Sequence, residues 1–102
     1  MGMNSSKGSS KEKDLARIKE PKRYNVIMFN DDFTTMEFVV EVLVDIFHMD
    51  EITAEEVMMT VHKSGKAVIG TFPKDIALTR VDMALRRARN EGFPFRMTVE
   101  EA

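Results

Sequence analysis

Pro21 divides this chain into two stretches of different chemistry, and the division decides where a folded core can form. Before Tyr24 the only apolar side chains are Met1, Met3, Leu15, Ala16 and Ile18, scattered among Ser, Gly and Lys. Such a stretch cannot bury enough surface to offset the entropy of ordering it. We therefore expect residues 1–22 to be a flexible N-terminal arm and residues 23–102 to form one core domain. The chain has 102 residues and 43% hydrophobic content, enough for one domain and too few for two. Charge divides at the same place. Seven basic and three acidic residues through Arg23 give that stretch +4, whereas eight basic and fourteen acidic residues from Tyr24 onward give the remainder −6.

These counts exclude several function classes. An acidic body lacks the clustered basic face that phosphate neutralisation requires, so nucleic acid is not the expected partner. The absence of cysteine removes disulfides, thiol nucleophiles and thiolate metal sites. No apolar run approaches the ~18 residues of a membrane span, and the polar N-terminus does not read as a signal peptide. The expectation is a soluble cytoplasmic protein without a membrane partner.

From Tyr24 the pattern reads as six elements. Tyr24 to Phe29 is β-branched and aromatic and ends at Asn30-Asp31-Asp32, residues that favour turns, so it is the first strand. Thr34 and Glu37 have the spacing of a capping box, and Val39, Val42, Leu43, Ile46 and Phe47 recur at helical intervals behind them. Thr53 and Glu56 repeat the capping signal, and Gly65 suits the left-handed residue that closes a helix, placing a second helix at about 53–64. Lys66 to Phe72 is a second strand, and Pro73 suits the first position of a third helix. That helix carries a stripe of Ala77, Val81, Ala84, Leu85 and Ala88 and stops before Gly92 and Pro94. Phe95 to Val99 alternates as a third strand. The order β-α-α-β-α-β predicts an α+β fold with a small three-stranded antiparallel sheet and three helices on one of its faces.

Material for catalysis is scarce. Ser64 is the only serine after the arm and sits at a helix end, while His48 and His62 lie on different predicted helices without metal-ligand spacing. No glycine-rich phosphate loop occurs, and we expect no enzyme, no metal and no cofactor. The segment Asn30 to Val39 is more informative, although a turn followed by a helix cap accounts for its first five residues without any ligand.

Three blocks change that balance. Asn30-Asp31-Asp32-Phe33-Thr34-x-Met36-Glu37-Phe38-Val39, then Val61-His62-x-x-Gly65-Lys66-Ala67, then Pro94 and Thr98-x-Glu100 resemble, in order and spacing, the ClpS family. Its members are adaptors that deliver N-degron substrates to Clp-family AAA+ unfoldases. The resemblance implies a monomer that recognises a substrate's first residue, Phe, Leu, Tyr or Trp, with its free α-amino group. By carry-over, Asn30, Asp31 and His62 form the amino-group end of the site. Asp32, Thr34, Met36, Val39, Met58, Val61 and Phe95 shape the hydrophobic pocket. Asp75 and Arg80 match positions that dock on the N-terminal domain of a ClpA- or ClpC-like unfoldase, and the basic arm would act after docking.

The residue types suit those roles. An α-ammonium needs acceptors when it leaves water, and an amide carbonyl, a carboxylate and a neutral imidazole all accept. Met58 and His62 lie four apart with Val61 beside them, so one helical face joins pocket wall to amine acceptor. Two positions depart from the common family pattern. Thr35 stands where many relatives have Pro, which predicts a less rigid loop and a less preorganised pocket mouth; Phe95 stands where a smaller aliphatic residue is frequent, which predicts a narrower pocket, and we expect a preference for Leu and Phe over Trp. Other readings of the same residues are a docking module of ribosomal-stalk-like βα architecture, indifferent to the N-terminus, and a hydrolase using His62 and Asp31.

Overall fold

The structure is a computed structural model that describes residues 21–102. Most of the expected arm lies outside the described residues. The elements follow in the order β1 (Arg23–Phe29), α1 (Met36–Asp45), α2 (Glu51–Ser64), β2 (Lys66–Pro73), α3 (Lys74–Asn90) and β3 (Arg96–Glu101). The α+β reading and the element order hold.

Strand β1 lies in the middle, antiparallel to β2 on one side and to β3 on the other. Its alternation sends Val26 and Met28 into the core with no exposed surface. The register with β2 slips between Val26 and Ile27, whose partners are Gly70 and Val68, so Ile69 is the extra residue of a bulge. Facing the sheet, Ala77, Val81, Ala84 and Ala88 of α3 are buried, as the sequence stripe predicts, with Leu85 at its half-buried margin. Small side chains there let the helix axis approach the strands closely. Phe38, Val39, Val42 and Leu43 of α1 supply the rest of the core, with Ile46 and Phe47 just beyond the helix end.

Several boundaries differ from the sequence reading. Helix α1 is capped by Thr35, whose hydroxyl accepts from the Phe38 amide at 3.1 Å, and Thr34 is not the cap. The Asp31 carboxylate engages both the amide and the hydroxyl of Thr34, which leaves capping to its neighbour. Helix α2 begins earlier than expected because Asp50, rather than Thr53, supplies the cap oxygen, accepting from the Thr53 amide at 3.2 Å. Hydrogen bonding from the Thr53 side chain, and then from its amide, holds the Asp50 carboxyl below its ordinary value. Pro73 precedes α3 by one position, as its cap. His48 falls outside any helix, in the α1–α2 connection, with a left-handed φ of 59°. Gly65 closes α2 with φ 87° as expected, a conformation that costs glycine little.

Candidate functional site

One backbone hydrogen bond assembles the site. The Asn30 amide donates to the Gly65 carbonyl at 2.8 Å, fastening the end of β1 to the end of α2. Residues distant in sequence thus meet: the Asn-Asp-Asp loop on one side and the last turn of α2, with His62, on the other.

The loop is shaped by Asp31. One carboxylate oxygen accepts from the amides of Phe33 at 2.8 Å and Thr34 at 2.7 Å, and the other accepts from the Thr34 hydroxyl at 2.6 Å. Partial burial pushes the Asp31 carboxyl up, but these three bonds together outweigh it and hold the group below its ordinary value. A carboxylate offers about four lone-pair sites, so one remains for a further donor. Asp31 is therefore both the brace of the loop and a negative charge that persists on mild acidification.

Between loop and helices lies a cavity of about 210 Å³ lined by Phe29, Asn30, Asp31, Asp32, Thr34, Met36, Val39, Met58, Val61, His62 and Phe95. All ten residues expected to bind the substrate N-terminus or shape the pocket line this one cavity. Phe29 was missed; its position at the strand end, directly before the loop, was the available signal. The lining is chemically mixed. Asn30, Asp31 and His62 offer oxygen and nitrogen acceptors, whereas Val39, Val61 and Phe95 are buried and apolar. Met36 and Met58 add flexible thioethers, Met36 being 45% exposed.

Phe95 is held from behind. Its ring packs edge-to-face on Phe38, with centroids 5.5 Å apart at 83°, and Phe38 packs likewise on Phe93 at 5.1 Å and 65°. This aromatic stack gives the pocket a floor that does not easily yield. Small-molecule pockets commonly enclose about 300–1,000 Å³, so this cavity suits a single side chain better than a large cofactor. Among the described residues, no group of three His, Cys, Asp or Glu side chains is placed to hold a metal ion. No helix of the described residues is long and apolar enough to cross a membrane.

Asp75 and Arg80 stand apart from this cavity, near the start of α3. Asp75 lines a shallow groove with Tyr24, Pro73 and Leu78. Arg80 lies over the Phe72 ring, 5.0 Å from its centroid. Tyr24 and Phe72 are paired across the sheet, so the two charges share one end of the molecule, but five residues of helix separate them by roughly 140° about its axis.

Comparison with known proteins agrees with this geometry. Residues 19–98 match the family model described as ATP-dependent Clp protease adaptor protein ClpS. A relative from Herminiimonas arsenicoxydans, named ATP-dependent Clp protease adapter protein ClpS, is 45% identical over 85 residues, covering 83% of each chain. One of the same name from Neisseria gonorrhoeae is 49% identical over 81 residues, covering 79% of this chain and 78% of its own. Among solved structures, Agrobacterium tumefaciens ClpS2 bound to L-phenylalaninamide superposes with a TM-score of 0.78 at 42% identity, covering 81% of this chain and all of that one.

Proposed function

This chain belongs to the ClpS family of Clp protease adaptors, proteins that are not themselves enzymes, and on that premise we propose that its cavity binds the first residue of an N-degron substrate. The substrate's bulky apolar side chain, Phe, Leu, Tyr or Trp, enters the pocket of Asp32, Thr34, Met36, Val39, Met58, Val61 and Phe95. Its free α-ammonium meets Asn30, Asp31 and His62. The carrying observation is the mixed lining of that small cavity, which brings the acceptors Asn30, Asp31 and His62 together with buried apolar Val39, Val61 and Phe95. L-phenylalaninamide, which Agrobacterium ClpS2 binds, has the chemistry of a peptide's first residue: a Phe side chain, a free amine and an amide in place of the carboxylate.

The two parts contribute differently. Burying a Phe or Leu side chain is worth roughly 1.5–3 kcal/mol, whereas Ala gains far less. The ammonium end contributes selection: a buried cation without acceptors is costly, and acceptors facing an acetylated amide lose their charged partner. Delivery uses a separate surface. Asp75 and Arg80, exposed or half-exposed at the start of α3, dock on the N-terminal domain of a ClpA- or ClpC-like unfoldase while the pocket stays open.

The test is a pair of fluorescent peptides starting with Phe, one with a free N-terminus and one acetylated. Anisotropy should show saturable binding of the free peptide and at least a tenfold loss on acetylation. Equal binding of the two, or equal binding of peptides beginning with Phe and Ala, refutes the proposal.

A further inference from the structure

At the end nearest the cavity, the sheet closes on a row of three side chains. Phe29 of β1 pairs with Lys66 of β2 on one side and with Arg96 of β3 on the other. Val26 and Met28 face the core, so alternation along β1 turns Phe29 to the opposite face of the sheet, where its two cross-strand partners join it. The Arg96 guanidinium carbon stands 4.3 Å from the centre of the Phe29 ring, and the Lys66 ammonium 5.9 Å from it. Both distances fall within the reach of a cation–π contact, and Phe29 is half-buried although it points away from the core. The ion pairs among the described residues, Lys22–Glu101, Arg86–Asp82 and Arg87–Asp45, involve neither cation. The contact that the two share is the ring.

Every member of this row adjoins a part of the site. Phe29 precedes Asn30, Arg96 follows Phe95, and Lys66 follows Gly65. Asn30 and Phe95 line the cavity. One step beyond the row lies the 2.8 Å bond from the Asn30 amide to the Gly65 carbonyl, which fastens the loop to the helix carrying His62. Strand ends fray, and the last paired row decides how far. Gripping a single ring from both neighbouring strands restrains all three segments together. The charges themselves have no use for the ligand, since through space a Lys or Arg at this end repels an ammonium. Stacking gives them another task.

Resting on the reading of the cavity as the site for a substrate's free N-terminus, we propose that Arg96 and Lys66 are positioning residues: by holding Phe29 they fix where Asn30 stands relative to His62. The convergence of those two acceptors on one ammonium depends on that spacing. Arg96 carries the larger share, because it is closer and its planar guanidinium can stack on the ring. Neither residue touches the ligand.

Anisotropy titrations of the full chain with the free and acetylated Phe-initiated peptides, together with hydrogen exchange at the Asn30 amide, test this. Arg96→Met keeps an apolar stem over the ring and loses the cation. It should bind the free peptide about threefold more weakly, bind the acetylated peptide as the native chain does, and exchange the Asn30 amide about threefold faster. Arg96→Lys puts a cation back over the ring and should recover most of both losses. Lys63, in the last turn of α2, is the control for charge alone, since among the described residues it lies over no ring. Lys63→Met should bind the free peptide at least as tightly as the native chain, because only a repelling charge is lost. Unchanged or tighter binding of the free peptide by Arg96→Met overturns the proposal. So does an equal loss for the acetylated peptide, an equal loss in Lys63→Met, or no recovery in Arg96→Lys. Failure of the first-residue reading looks different: the native chain then binds free and acetylated peptides alike, and unchanged exchange at Asn30 in Arg96→Met by itself overturns the clamp.

Discussion

Replacing Asp31 with Asn separates the loop brace that this side chain forms from the ammonium-binding role proposed for it. The amide oxygen of Asn still accepts from the Phe33 and Thr34 amides, and its NH2 group donates to the Thr34 hydroxyl in place of accepting from it, so the loop keeps its shape. What disappears is the charge. Hydrogen bonds to a charged group are worth about 1.5–3 kcal/mol against about 0.5–1.5 for neutral ones, and this site is partly solvated, so the variant should lose about 1 kcal/mol of stability. For a domain of this size that lowers the melting temperature by about 4–8 °C.

The effect on ligand should be larger. A carboxylate and an ammonium about 4 Å apart attract by about 4 kcal/mol at an effective dielectric constant of 20, and partial exposure and salt reduce that to roughly 2 kcal/mol. A Phe-initiated peptide should therefore bind the Asn variant about thirtyfold more weakly, while its acetylated form shows no difference between the two proteins. Burial raises the Asp31 carboxyl and the three hydrogen bonds lower it further, so its folded value lies below the ordinary 3.8. A group depressed in this way stabilises the fold above its unfolded value, and the contribution disappears as pH falls through the folded value. The stability gap between native and variant proteins should be complete at pH 6 and close below about pH 4. An Asn variant that unfolds within the expected range but binds the free peptide as the native chain does would refute the electrostatic role.

Three further outcomes follow from the same geometry. His62→Ala removes one of the acceptors proposed for the substrate ammonium and should weaken binding of a free Phe-initiated peptide several-fold while leaving its acetylated form unchanged, as anisotropy would record. Phe95→Leu removes the edge contact with Phe38 and opens the pocket floor, which should cost about 1–2 kcal/mol in urea unfolding while improving binding of Trp-initiated peptides relative to Leu-initiated ones. Asp75→Lys should abolish capture by an immobilised unfoldase N-terminal domain and leave peptide anisotropy unchanged; loss of both would place Asp75 in general folding rather than docking.

Much of the fold is legible in the chain because its cues are local. The stripe of Ala77, Val81, Ala84 and Ala88, the alternation through Val26 and Met28, and the left-handed glycine at position 65 each express the period or the backbone need of a single element. The helix starts were misplaced for a physical reason. Thr34 and Thr53 have the right spacing for a capping box, yet a cap is won by whichever oxygen reaches the orphan amides. The Thr34 hydroxyl is bonded to Asp31 and Thr35 caps α1 instead, and the Asp50 carboxylate holds the Thr53 amide. The site lies at the other extreme. No periodicity announces that Asn30 and His62 meet, since the Asn30–Gly65 bond joins two segments that only the closed sheet brings together. Family resemblance supplied that pairing, and the structure supplies its cause.

The ammonium position proposed for the site is also consistent with the backbone. His62 occupies the last turn of α2, where unpaired carbonyls give a helix its partial negative charge, and Gly65 presents its carbonyl to Asn30 at that same end. A cation placed there is favoured before any side chain contributes. The N-terminus of α1 has the opposite polarity, but Thr35 satisfies the Phe38 amide and Glu37 adds negative charge in the first turn. The helix whose end would repel an ammonium is thus neutralised locally, and the helix whose end attracts one carries the imidazole. Turning the ligand around, with a carboxylate at the acceptor end, would place like charges at Asp31 and at the α2 terminus together. On the proposed reading a carboxyl terminus is disfavoured chiefly by Asp31, and the α2 terminus adds to that only in part, because Lys63 in its last turn offsets some of the negative field.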